Sequence, residues 1–207
     1  MAEEGWSRRD FGAAAVLLAA VVGLPAVVAT MSFEQPSEQP TRRQREMMRD
    51  VSQLVLPRTT TPGAGEVGVG DFVLLALAHG LNGTRKPVGA EGMPPLVRQH
   101  RRRDSSLRYA DWLEAELDQA ANGNWIAKPD SLRTAVLARL DADSFAGPGN
   151  HPWKAVKSLI LLGYYTSQVG GAEELRYEHT PGRFDPKVPL VPGEAAYSSD
   201  WTGVEFG

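Results

Sequence analysis

Phe72-Val-Leu-Leu-Ala-Leu-Ala-His-Gly-Leu81 is the stretch from which the architecture can be worked out. It is apolar almost all round and too short to span a bilayer, so it reads as a central helix buried on most faces. Such a helix needs other helices to cover it, and the flanking sequence supplies them. Upstream, Met47, Val51, Leu54 and Val55 recur at i, i+4, i+7 and i+8, giving one apolar face on a helix that runs from Thr41 until Pro57 stops it. Arg42, Arg43, Arg45 and Arg49 then read as the wet face of that helix.

Downstream, Asn82 to Arg103 reads as a long connection with Gly and Pro, carrying a cluster of Arg98, Arg101, Arg102 and Arg103. The cluster suits a solvated loop or an acidic partner surface. Asp104 or Ser105 can cap the next helix, with Leu107, Ala110, Leu113 and Leu117 inward and Asp111, Glu114 and Asp118 toward water. Asn122-Gly-Asn ends it. Pro129-Asp-Ser131 opens another, with Leu132, Val136, Leu137 and Leu140 inward, and Gly147-Pro-Gly closes it. Asn150-His-Pro-Trp153 starts the last, placing Pro152 where its missing N–H costs nothing, with Trp153, Val156, Ile160 and Tyr164 on one face.

Beyond Val169-Gly-Gly, Pro181, Pro186, Pro189 and Pro192 break up regular structure. Yet Tyr177, Phe184, Leu190, Tyr197 and Trp201 are more aromatic and apolar than a disordered tail. The expectation is an all-α single domain of about five helices, spanning 41–175, with an extended, Pro-rich C-terminal arm over 176–207. Tyr164 and Tyr165 point about 100° apart on a helix, so one can face the core while the other meets the arm or a partner. Tyr164, Tyr165, Tyr177, Phe184, Tyr197 and Trp201 are therefore the candidate partner contacts.

Gly63-x-Gly65-x-x-Gly68 formally matches the dinucleotide-binding fingerprint. That fingerprint needs a strand running into its first glycine and an acid about 20 residues later. Pro57 and Pro62 flank a threonine run where the strand would end, and no acid lies near that distance. The glycines read instead as a tight loop needing positive φ.

At the N-terminus, Ser7-Arg8-Arg9-Asp10-Phe11 precedes an apolar run from Gly12 to Ala29. A basic start, an apolar middle and a small-residue exit make a secretory signal. The arginine pair with Ser7 and Phe11 resembles the twin-arginine form, which exports proteins already folded. Val27-x-Ala29 suits cleavage between Ala29 and Thr30, leaving a 30–40 linker ahead of the domain. The expected location is periplasmic, with membrane association through a complex or an uncleaved signal as the alternative.

Composition narrows the chemistry. There are no cysteines in 207 residues, so there are no disulfides, thiolate-held iron–sulfur clusters or c-type haem attachments in this chain. A net charge of −3 argues against nucleic-acid binding. There is no G-x-S-x-G, H-E-x-x-H or phosphate-binding loop. His79, His100, His151 and His179 show no i, i+4 pairing; His79 reads as a helix end and His151 as part of a cap. Asp141 and Asp143 read as a solvated helix end. No catalytic, cofactor-binding or metal residue is assigned.

Several separated segments resemble one family in the same order. They are Leu56-Pro57 with Thr61-Pro-Gly-Ala64, His151-Pro-Trp153, Leu162-Gly-Tyr-Tyr-Thr-Ser-Gln168, and Arg176-Tyr177 followed by Pro181-Gly-Arg-Phe-Asp185. The resemblance is to the gluconate 2-dehydrogenase subunit 3 family and runs from about Met47 to Trp201. It implies a small, non-catalytic subunit that carries the twin-arginine signal and escorts a large flavoprotein of the glucose–methanol–choline type. FAD, and any iron–sulfur cluster or haem c, would belong to partner chains, with a cytochrome c as third partner in some members. The substrates implied are sugars and sugar acids. An independent enzyme with its own pocket and a stand-alone exported binding protein are the alternatives that this leaves open.

Overall fold

The computed structural model describes residues 39–89, 94–146 and 151–177, and then 187, 189 and 191–198. The export-signal residues Ser7, Arg8, Arg9 and Phe11, the cleavage pair Ala29 and Thr30, and most of the linker lie outside the described residues, as do Phe184 and Trp201.

The described residues form an all-α body. Its first helix, α1 (Arg42–Val55), starts from a reciprocal cap: the Gln44 amide donates to Thr41 Oγ1 at 3.1 Å, and the Thr41 amide to Gln44 Oε1 at 3.0 Å. Met47, Met48, Val51 and Ser52 are buried, while Leu54 and Val55 are only partly so. The helix stops two residues before Pro57, as its chemistry requires.

The expected central helix is α2 (Val69–His79), with Val69, Gly70 and every residue from Phe72 to Leu77 buried. Glycines set how closely its neighbours approach. A Cβ on Gly70 would lie 2.7 Å from the Arg49 amide nitrogen of α1. One on Gly163, in α6 (Pro152–Tyr165), would lie 2.5 Å from the Phe72 ring. The helix is thus clasped from two sides at positions where no side chain intervenes.

The long connection that follows α2 is more ordered than expected. Pro95 occupies the first turn of a short helix, α3 (Pro95–Gln99), a position that tolerates its missing N–H. Arg101 and Leu107 then form an isolated antiparallel bridge. Neither Asp104 nor Ser105 caps the next helix, α4 (Tyr109–Ala120), which has Arg108 at its N-cap and no side-chain cap. The Asp104 carboxylate is instead engaged in its own turn, accepting from the Ser106 amide at 2.9 Å and hydroxyl at 2.7 Å. Leu107 is buried in the bridge ahead of the helix, while Trp112, Leu113 and Leu117 fill the helix's inner face.

The acids of α4 do not simply face water, and neither does Arg43. Its guanidinium crosses from α1 to Asp118 at 2.6 Å, to Asn124 at 3.0 Å and to Glu114. Gln44 donates to Asp111 at 2.7 Å, and Asp118 also accepts the Trp125 amide at 2.8 Å. Arg42, with its side chain 93 % exposed, keeps to the wet face.

Helix α5 (Asp130–Ala146) buries Val136, Leu137 and Leu140, but Leu132 stays 40 % exposed. Helix α6 has His151 as N-cap, its Nδ1 accepting the Trp153 amide at 3.3 Å, and Pro152 in the first turn. Trp153, Val156, Ile160 and Tyr164 are all buried, as their spacing implies. After α6 the chain enters a π-helical segment, Val169–Glu174. Beyond it, β1 (Arg176–Tyr177) pairs in parallel with β2 (Tyr197–Ser198), a two-residue contact that periodicity could not reveal. Among the described residues, no helix is long and apolar enough to cross a membrane.

Candidate partner interface

The two adjacent tyrosines of α6 part company as helical geometry demands. Tyr164 is 3 % exposed, and its hydroxyl donates to the Pro62 carbonyl at 3.0 Å with Thr61 Oγ1 at 3.3 Å. Tyr165 is 39 % exposed and meets the Tyr164 ring edge-on, with centroids 5.3 Å apart. Burial pushes the Tyr165 phenol pKa up, and the nearby Glu174 carboxylate and Tyr164 add to that.

Around this pair the separated segments converge into one corner. Glu174, at the end of the π-helical segment, accepts hydrogen bonds from the hydroxyls of Thr61 and Thr59, the latter at 3.3 Å. Ser167 Oγ donates to the Tyr164 carbonyl at 2.6 Å and accepts the Gly170 amide at 3.1 Å. The turn is possible because residue 170 has no side chain: a Cβ there would fall 2.1 Å from the Tyr164 carbonyl oxygen. The loop at 61–64, the Leu162–Gln168 segment and the approach to Arg176 are therefore a single built unit. Thr61 and Glu174 had no signal of their own in the sequence beyond lying in or beside those segments.

Leu161 and Leu162, 36 % and 37 % exposed, lie one turn before Tyr165 and make an apolar strip with it on the outer side of α6. Phe145 is a separate exposed ring at 57 %, with the Lys157 ammonium 5.0 Å and the Lys154 ammonium 5.2 Å from its centroid. Of the other candidate contacts, Tyr177 and Tyr197 belong to the paired strands, and their side chains lie outside the description, as do Phe184 and Trp201.

Two further places bring polar groups together. In the glycine loop only Gly68 has a positive φ, +84°. Gly63 and Gly65 are needed for close approach instead, since a Cβ would lie 2.4 Å from Gln53 Nε2 and 2.5 Å from the Arg49 carbonyl respectively. Their amides are already taken: Gly65 donates to Gln53 Oε1 at 3.0 Å and Gly63 to Glu66 Oε2 at 2.8 Å. A carboxylate inside the loop is the wrong charge for a phosphate cradle.

The second is a hollow lined by Leu54, Val55, Leu137, Trp153, Asp141 and Lys157. Asp141 sits within α5 rather than at a solvated end, and accepts from Trp153 Nε1 at 2.6 Å and Lys157 Nζ at 2.7 Å. Burial raises its pKa, but the lysine and indole donors outweigh this and hold it below the usual carboxylate range. His151 is also settled. Burial and then Lys154 push its pKa down against an opposing Asp143, which keeps the neutral ring that an Nδ1 acceptor requires. Among the described residues, no group of three or more His, Asp and Glu could hold a metal ion.

The model of one protein family, gluconate 2-dehydrogenase subunit 3, matches residues 42–182, from the first residue of α1 to beyond the strand at Arg176. No curated protein and no solved structure matches the chain. The match takes in every helix among the described residues and the whole Tyr164 corner, and the chain belongs to the gluconate 2-dehydrogenase subunit 3 family.

Proposed function

We propose that this chain is the non-catalytic small subunit of a periplasmic, FAD-dependent sugar or sugar-acid dehydrogenase complex. The observation that carries the proposal is the family match over residues 42–182, to a family named for subunit 3 of gluconate 2-dehydrogenase. In this reading the flavin and the substrate pocket lie in a large glucose–methanol–choline-type partner. Any iron–sulfur cluster or haem c lies in partner chains too, since a chain without cysteine offers no thiolates for them.

The small subunit has two tasks. It carries the twin-arginine signal at Arg8-Arg9, so that the flavoprotein is exported folded and already loaded. It also stabilises that partner, with the strip of Leu161, Leu162 and Tyr165 and the arm after Arg176 supplying the contact. Exposed aromatic and aliphatic side chains beside a rigid corner are suited to this, because interface energy concentrates in a few such anchors.

Co-expression with a candidate large flavoprotein subunit tests the proposal directly. The tagged chain should bring down a yellow large subunit, and the double variant R8K/R9K should strand both proteins in the cytoplasm. A flavoprotein that reaches the periplasm at normal level with that variant would remove the escort role. An isolated chain that binds flavin or oxidises sugars would remove the non-catalytic one.

A further inference from the structure

We infer that the described residues of the segment 85–108 form a basic docking face for an acidic surface patch on the large subunit, separate from the apolar Tyr165 strip; this rests on the small-subunit reading above. The segment holds seven of the chain's 22 Lys and Arg but only two of its 25 Asp and Glu. Its net charge is therefore +5 in a chain of −3, which leaves −8 on everything else.

The fold gathers these charges in space. Residues 100–108 turn back on themselves, with the Arg108 amide donating to the His100 carbonyl at 2.9 Å and the Arg102 amide to the Ser106 carbonyl at 2.7 Å. The strand of chain carrying Arg85 and Lys86 is tied alongside, through the Val88 amide on the Ser105 carbonyl at 3.0 Å and Arg85 on Asp104 at 3.9 Å. Lys86, Arg98, Arg103 and Arg108 are exposed. Asp104 is held by the Ser106 donors and Arg85, and Arg108 reaches Asp111 at 3.6 Å. For Lys86, Arg98 and Arg103 no carboxylate partner occurs among the described residues.

Elsewhere the surface treats its arginines differently. Arg42, Arg45, Arg49, Arg58 and Arg139 are each paired with an acid on the same or a neighbouring element. A concentrated excess of one sign over one face is the pattern that selects a complementary partner and speeds encounter. Six of the seven cations are arginine, whose planar fork matches carboxylates bidentately and is more weakly hydrated than an ammonium. The −8 on the rest of the chain favours a local acidic patch over an extended anionic plane, which would meet that charge as well.

The experiment uses the full chain co-purified with its flavoprotein. Affinity is measured at about 50 and about 300 mM NaCl, a range over which the screening length shrinks from about 14 to about 6 Å. It is measured for wild type, for R98E/R103E, and for R42E/R139E, which reverses exposed arginines outside the segment. Thermal melts of the isolated variants check that each is folded. Affinity of the wild type should fall with salt. R98E/R103E should bind at least tenfold more weakly at low salt with a flatter salt dependence, while R42E/R139E stays within about threefold of wild type.

Equal affinity of R98E/R103E and wild type would overturn the proposal. So would equal losses in both reversal variants, since net charge rather than this face would then be responsible. Flotation with phosphatidylglycerol–phosphatidylethanolamine vesicles is the second arm. Vesicle binding abolished by R98E/R103E, with complex affinity unchanged, would reassign the face to lipid. If wild type forms no complex at either salt concentration, the small-subunit reading itself fails, and this inference with it.

Discussion

Replacing Gly170 by Ala tests whether the corner is as tightly built as its geometry implies. A Cβ at this position would sit 2.1 Å from the Tyr164 carbonyl oxygen and 2.6 Å from its carbonyl carbon, both backbone atoms of α6 that cannot swing aside. The π-helical segment must move instead, which breaks the 3.1 Å bond from the Gly170 amide to Ser167 Oγ. Overpacking of this kind costs about 1–3 kcal/mol, and the lost hydrogen bond about 1 kcal/mol. Restricting the unfolded chain returns about 0.4–1 kcal/mol. The net is a destabilisation of about 2 kcal/mol, or a fall of about 4–8 °C in Tm for a domain of this size. Gly89→Ala is the control, because a Cβ there meets nothing within 4 Å. Thermal unfolding by circular dichroism reads the global effect, and amide exchange over Val169–Glu174 reads a purely local opening. A Gly170→Ala variant that melts with Gly89→Ala, with exchange in that segment unchanged, would refute the reasoning.

Three further outcomes are expected. Tyr164→Phe should lower Tm by a few degrees, since the Pro62 carbonyl loses its 3.0 Å donor, at a cost of about 1–3 kcal/mol if it stays dry; an unchanged melt would mean that water replaces the hydroxyl. Asp141 has a folded pKa below its ordinary value, so its stabilising contribution is complete above the unfolded pKa and is lost as pH falls through the folded one. Asp141→Asn should therefore flatten the decline of Tm below about pH 4, and an acid limb identical to wild type would contradict the pairing. Deleting residues 186–207 should weaken capture of the flavoprotein more than it lowers the Tm of the isolated chain, and a truncated chain that holds the flavoprotein as tightly would leave the arm without that role.

What could be read from sequence follows from how local each cause is. The burial of α2 is written into an unbroken apolar run, and the inward face of α6 into its spacing, so both were legible. The cap at His151 was legible because a proline in the first turn fixes where the helix starts. Arg43 was not, because what distinguishes it from Arg42 is the position of Glu114 and Asp118 some seventy residues away. Asp104 was misread for a subtler reason: the residue types that cap helices also close turns, and here the turn at Ser106 came first. On α6, the opposite fates of Tyr164 and Tyr165 follow from helical pitch. The Thr61–Glu174 contact joins positions over a hundred residues apart, and only the fold brings them together.

The Arg43 crossing also has a mechanical consequence. A force applied at Thr41 enters the described body at the first turn of α1. There the chain is held by its reciprocal cap, and immediately behind that by a guanidinium fastened to Asp118, Glu114 and Asn124. A pull at Thr41 is thus shared with α4 through several charge-assisted bonds. It does not peel α1 away one hydrogen bond at a time. The grip on the leading end of α1 thus lies within three residues of Thr41.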